Sequence, residues 1–394
     1  MIIRTGVLYD GTMRAPRRNV DIVVENGAVR EIRDASGDCD REAACVTPGM
    51  VNAHVHLEMS GQPDPLTISN QLNAVQRTLH AVDNAAKTLR AGVTTVRDVG
   101  ANDAIAIEIR DAIEQRRIPG PRMRAAGKVL CMTGGHGWPI GRAVDSPWEA
   151  RKGVREQRLA GADCLKLIAT GGVLTKGAVP GVAQLTIEEM SAACDEAHRH
   201  DMRVAAHAIG TEGIKNALRS GVDSIEHGHM LDDEAIALFN ERGAYLVPTL
   251  TAPTCILEHA ETGGQPEYVV RKAREINEHM LRNIRRAFQA GVKIAGGSDA
   301  GTPFNFHDKY ADEVVLMHRL LGMTPQQALH AATAIAAELV GLHRGMLSAG
   351  EPADLLLLEA DIERDLNTLA RPVAVMKGGS WVQRACAAYA GIFA

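Results

Sequence analysis

The chain has 394 residues, 45% of them hydrophobic, enough to bury a core larger than that of one small domain. A net charge of -5 with only 3% aromatic residues leaves neither a basic footprint for nucleic acid nor a stacking platform for single strands. No apolar run reaches membrane-spanning length, the start has no signal-peptide architecture, and seven cysteines without a CxxC pair point to free thiols and a cytoplasmic home.

Residues 1–46 read as short strands and turns, IIRTGVLYDGT and NVDIVVENGAVREIR. From about residue 47 short apolar runs alternate with long amphipathic stretches. The runs are VTPGMVNAHVH (46–56), GVTTVRDVG (92–100), PRMRAAGKVL (121–130) and ADCLKLIAT (162–170), then RVAAHAIG (203–210), VDSIEHG (222–228), AYLVPTL (244–250) and VKIAGGSDAG (292–301). Between them lie helical patterns such as TEGIKNALRSG and VVRKAREINEHMLRNIRRAFQAG. The dipeptides Ala91-Gly92, Ala160-Gly161, Ser220-Gly221, Arg242-Gly243 and Ala290-Gly291 stand just before strands, where a glycine closes a helix. Eight strands, each followed by a helix, is the count for a closed barrel. After TPQQALHAATAIAAELVG the tail returns to strands in ADLLLLEAD and RPVAVMKGGSWVQ. The expectation is an α/β fold: a (β/α)8 TIM-like barrel over 47–345, with a small β-sandwich domain assembled from 1–46 and 346–394.

Chemistry in such a barrel sits at the C-terminal ends of the strands. Strand one ends in His54-Val55-His56, whose imidazoles share a strand face. Strand four carries Lys166, strand five His207, strand six His227 and strand eight Asp299. A lone histidine near a strand end is ordinarily a satisfied core or rim residue, and an aspartate in GSDAG can be a turn residue. Those readings do not explain four histidines and an aspartate gathered at one rim. Imidazoles plus a carboxylate suit zinc and other first-row divalent ions.

Lys166 then needs its own account, because an ammonium inside a buried strand is costly and has no lone pair for a metal. Two divalent ions would repel it further. A neutral amine can instead add carbon dioxide and lose a proton, giving an anionic carbamate with one oxygen for each ion. With that carbamate, Asp299 and a hydroxide, the charge of a two-ion site falls from about +4 to about +1.

The order HxH, Lys, His, His, Asp resembles the amidohydrolase superfamily. TGGHG (133–137), LKLIATGGVLT (165–175), AAHAIGTEGI (205–214), SIEHG (224–228) and GSDAGTP (297–303) are similar to its prolidase-like branch of Xaa-Pro dipeptidases, metallo-carboxypeptidases and ochratoxin-type amidases. The resemblance covers essentially the whole chain. It implies two divalent metal ions, zinc by default, with Lys166 as N6-carboxylysine, and hydrolysis of an amide bond by a metal-bridging hydroxide. His54, His56 and Asp299 would hold one ion, His207 and His227 the other, and Lys166 would bridge them. Asp299 would move the proton from the hydroxide to the leaving amine. His136, in the glycine-rich CMTGGHGW, would bind the carbonyl or developing oxyanion.

Around the rim, Arg142 and Lys176 are candidate counter-charges for a substrate carboxylate, Thr249 and Thr251 follow strand seven, and Trp138 could supply an apolar wall. Relatives offer a tyrosine where this chain reads VPTLTAPT, so carboxylate recognition does not carry over directly. The expected substrate is a dipeptide or N-acyl amino acid, with a cyclic amide or imide, or a xenobiotic amide or urea, as the alternative. A Schiff-base aldolase would use Lys166 but leave the histidines and Asp299 unexplained. A non-catalytic scaffold would not need every ligand in place. Deaminases commonly hold one metal and lack the bridging lysine. A homo-oligomer is the family-level expectation.

Overall fold

A computed structural model gives the fold and describes residues 1–383; positions 384–394 of the expected terminal β-domain lie outside the described residues. The eight barrel strands are Met50–Val55, Val93–Asp98, Arg122–Ala125, Cys164–Ile168, Arg203–Ala208, Ser224–His227, Tyr245–Val247 and Lys293–Ile294. Neighbours pair in parallel from the first to the third and from the fourth to the eighth. Asp163 N–H donates to Ala125 O at 2.9 Å across the third and fourth strands. The amides of Ala53 and His56 donate to the carbonyls of Gly296 and Ala300, and that of Asp299 to His54 O, each at 2.9 Å. These bonds join the last strand to the first, so the ring closes and the strand ends share one mouth.

Two strands differ from the expected runs. The third breaks at Gly127, whose φ of 66° turns the chain. A separate segment, Val129–Cys131, then pairs with the fourth strand through Leu130 and Leu167. The eighth has a regular strand only at Lys293–Ile294, because the following residues bend to present Asp299. The helix ends follow the sequence closely. Gly92, Gly161, Gly221, Gly243 and Gly291 have φ of 90°, 97°, 91°, 65° and 84°, a region that costs a side chain-bearing residue strain and glycine nothing.

The terminal β-region is one seven-stranded sheet. Its order is Ser380–Trp381, Ala374–Lys377, Leu355–Leu358, Arg41–Pro48, Ile2–Leu8, Arg17–Glu25 and Ala28–Asp34. Arg41–Pro48 lies parallel to Ile2–Leu8 and antiparallel to Leu355–Leu358, which stitches the two chain ends together. Ile3, Ile22, Val46, Leu355 and Met376 form its own core. Arg41–Pro48 leads directly into the first barrel strand, so the sheet anchors the segment that carries His54 and His56. Among the described residues no helix is long and apolar enough to cross a membrane. Cys39 and Cys45, close in sequence, are both free.

Candidate metal centre and active site

His54, His56, Lys166, His207, His227 and Asp299 all line one cleft at the barrel mouth, with His136 beside them. The cleft opens to solvent at the mouth, and its lining is mostly apolar apart from these residues. Ring centroids lie 5.4 Å apart for His54–His56, 5.2 Å for His54–His227, 4.6 Å for His207–His227 and 4.4 Å for His136–His207. Three site residues outside glycine have left-handed backbone: His227, Thr249 and Asp299, with φ of 74°, 48° and 59°. Strain of this kind concentrates at functional sites, and for the β-branched Thr249 it is a true outlier.

The hydrogen bonds decide which way each ring presents its lone pair. His54 Nδ1 lies 2.7 Å from the Glu226 carboxylate, which can only accept, so Nδ1 carries the proton and Nε2 is left with a lone pair. His56 Nδ1 donates to Gly100 O at 2.8 Å, with the same result. Both Nε2 atoms face Asp299 Oδ1, at 3.2 and 3.3 Å. Three acceptors therefore converge on one another, and all three ligand atoms lie within 4.8 Å. Only a cation or a shared proton relieves that arrangement, so the residues fit a divalent metal ion. The titration behaviour carries the same demand. Burial alone would lower His56 and raise Asp299, but their contact raises His56 and, with His54, holds Asp299 well below the usual carboxylate range.

A second set lies alongside. His207 Nε2 donates to Gly171 O at 3.1 Å, which frees Nδ1 as an acceptor. His227 Nδ1 meets the Thr249 hydroxyl at 2.8 Å, which leaves Nε2. Burial pushes both imidazoles well below their ordinary pKa and keeps them neutral, with His136 adding to the shift of His207 and His207 to that of His227. Lys166 is 3% exposed, and burial lowers its ammonium to about 8. At neutral pH a useful fraction of it is the free amine that carboxylation requires.

Under this rim, Glu226 ties the set to the barrel core. It accepts from Arg97 Nη2 at 2.8 Å and from Ser224 Oγ at 2.6 Å as well as from His54. Burial would raise its pKa, but Arg97 and His54 lower it and keep it ionised. His136 is also held neutral: burial and the nearby Lys272 ammonium push it down to about 3. Its Nδ1 lies 2.8 Å from Thr175 Oγ1. A Cβ on Gly172 would come within 2.3 Å of His136 Nε2, so that glycine makes room for the ring.

Four candidates for substrate contact stand elsewhere. Trp138 is 58% exposed and outside the cleft lining. Arg142 pairs with Glu156 at 2.9 Å, and Lys176 is exposed. Thr251 is buried and gives its amide and hydroxyl to Glu313. The sequence reading overlooked Glu226 and His229. The signal for the first was a glutamate inside the apolar run SIEHG, a residue type that is rarely buried unpaired. His229 repeats the HxH spacing in EHGHM; it lines the cleft, and its buried Nδ1 has no hydrogen-bond partner.

The fold and this rim of histidines, lysine and aspartate define a metal-site (β/α)8 hydrolase. The chain belongs to the amidohydrolase family, whose sequence pattern matches residues 45–382, and it is a hydrolase acting on carbon–nitrogen bonds. It is 28% identical over 423 aligned positions to the ochratoxinase of Aspergillus niger, covering 96% of this chain and 85% of that one. A crystal structure of a Xaa-Pro dipeptidase with methionine bound in its active site is 33% identical, with a TM-score of 0.89 over 96% of this chain and 98% of the other. A prolidase-like protein from Bifidobacterium longum is 31% identical, with a TM-score of 0.85 over 97% and 94%.

Proposed function

We propose that the protein is a binuclear metal-dependent amidase, with zinc as the native ion and Lys166 carboxylated. The observation that carries this reading is the convergence of His54 Nε2, His56 Nε2 and Asp299 Oδ1, lone pair to lone pair. Those three residues would hold one ion, His207 and His227 the second, and the carbamate of Lys166 would join the two. When bound, the ions supply Lewis acidity, which polarises a carbonyl and makes water nucleophilic at neutral pH.

The remaining work falls to side chains. Asp299 takes the proton released from the attacking water and returns it to the leaving nitrogen, so the amine departs neutral. Glu226 fixes the proton of His54 on Nδ1 and keeps its Nε2 aimed at the site. Neutral His136 donates from Nε2 to the carbonyl oxygen as negative charge gathers there. Thr175 Oγ1, which accepts from Gly137 N–H at 3.4 Å, turns its own proton to His136 Nδ1 and selects that tautomer. Six free cysteines among the described residues fit a cytoplasmic protein. Dipeptides and N-acyl amino acids are the class that the dipeptidase relative's name favours, whereas the cleft lining favours an amide or urea without charge.

The test is metal content and turnover together. Protein grown with zinc should hold two ions per chain and show a carbamate resonance after labelled bicarbonate, and should cleave an amide from a mixed panel. One ion per chain with no carbamate would overturn the binuclear reading.

A further inference from the structure

The cleft has two apolar walls set across its mouth. Met59, Leu66, Val129, Ile140 and Ile168 pack as one cluster on the side of the first, third and fourth strands. Ile256, after the seventh strand, packs in a second cluster that Val173 joins, and Leu174 packs against both clusters and links them at one side. In a ring of eight, the third and seventh strands face each other, so the floor of histidines lies between the walls.

Charge is missing from both. Among the described residues no lysine or arginine lines the cleft except Lys166, which becomes an anion once carboxylated. Lys272 lies nearby, but its ammonium is committed to the carbonyls of Gly172, Val173 and Thr175 at 3.2, 3.5 and 2.7 Å. Besides the floor residues, the polar side chains of the lining are Thr302 and His229, the latter with its unpartnered Nδ1. Against these walls, away from the metal floor, a carboxylate on the substrate would lose its hydration and meet no lysine or arginine, whereas an apolar group gains by about 25 cal/mol for each Å² it buries.

Resting on the amidase reading, we propose that the substrate is uncharged on both sides of the scissile bond and carries an apolar group on each. It is an N-alkyl or N-aryl amide or urea, without the free carboxylate of a dipeptide or an N-acyl amino acid.

A matched pair tests this: N-benzoyl-phenethylamine and N-benzoyl-phenylalanine differ only by a carboxylate on the amine side. The zinc-loaded protein should turn over the neutral member with kcat/KM at least about 100-fold higher, the cost of stranding one charge. Val173→Lys, at a half-buried wall position, should shrink that gap at least about tenfold. Leu174→Lys serves the same purpose if the first variant folds poorly. Equal turnover, or preference for the carboxylate, would overturn the inference and leave the amidase reading standing. Turnover of neither would count against the amidase reading, and calorimetry on the pair would then decide the inference by which member binds more tightly.

Discussion

Two layers of the barrel interior handle buried charge in opposite ways. In the lower layer, Arg97 meets Ala53 O, Ser224 Oγ and Glu226, and Glu226 receives Arg97, Ser224 and His54, so each nitrogen of Arg97 finds an acceptor. In the layer at the mouth, His54, His56 and Asp299 turn acceptor toward acceptor. Both layers are buried in one barrel, and both carry several kcal/mol of desolvation. A satisfied network stabilises and orients; an unsatisfied one of equal burial fits a site that a bound cation would complete. The contrast identifies the site without reference to any relative.

Breaking the upper layer should produce the largest effects. Lys166→Ala is expected to lower kcat by about 10³-fold or more and to reduce bound zinc, with partial rescue by a short carboxylic acid; full activity would remove its bridging role. Asp299→Asn should lose activity to a similar degree, yet its metal-free form should melt no lower than wild type, because an amide N–H can donate to the imidazoles it faces.

Glu226→Gln attacks the link between the layers. Zinc affinity or kcat should fall about 10- to 100-fold as His54 loses its anchor, and stability should drop as well, because Arg97 is left without its counter-ion.

A pH titration of the metal-free protein tests the neutral histidines. Burial lowers His136 to about 3, and His229 and His307 to about 4, whereas an unfolded imidazole titrates near 6.5. The unfolded chain binds the extra protons, so stability is full above about 6.5 and falls as the pH drops toward the folded values. A flat Tm between pH 7 and 5 would contradict this.

The smallest effect belongs to the base of the barrel, far from the mouth. There Asp163 pairs with Arg110 at 2.5 Å and with Arg124 at 3.0 Å. Asp163→Asn should cost about 1 kcal/mol of stability and leave kcat/KM within about twofold, which would sharpen the distinction between structural and functional charge.

Some of this was legible in residues alone. Strand and helix alternate with clear periods, and the glycines at 92, 161, 221, 243 and 291 take the conformation their position before a strand implies. Both features depend on neighbours within a few residues. The histidines, Lys166 and Asp299 were also readable, because a parallel barrel sends every strand end to one mouth and thereby turns a list of strand ends into a site. Loop side chains follow no such rule. The loop after the fourth strand is placed by Lys272, about a hundred residues along the chain. Trp138, Arg142, Lys176 and Thr251, expected at the rim from sequence position, are not among the residues lining the cleft: Trp138 and Lys176 are exposed, Arg142 pairs with Glu156, and Thr251 with Glu313. The partner of His54 is likewise a long-range fact, since Glu226 lies five strands away. The frame and the ligand types were readable from residues alone, because they rest on local periodicity and barrel geometry. Which side chains close around a substrate, and with what charge, was decided only by tertiary hydrogen bonds between distant segments.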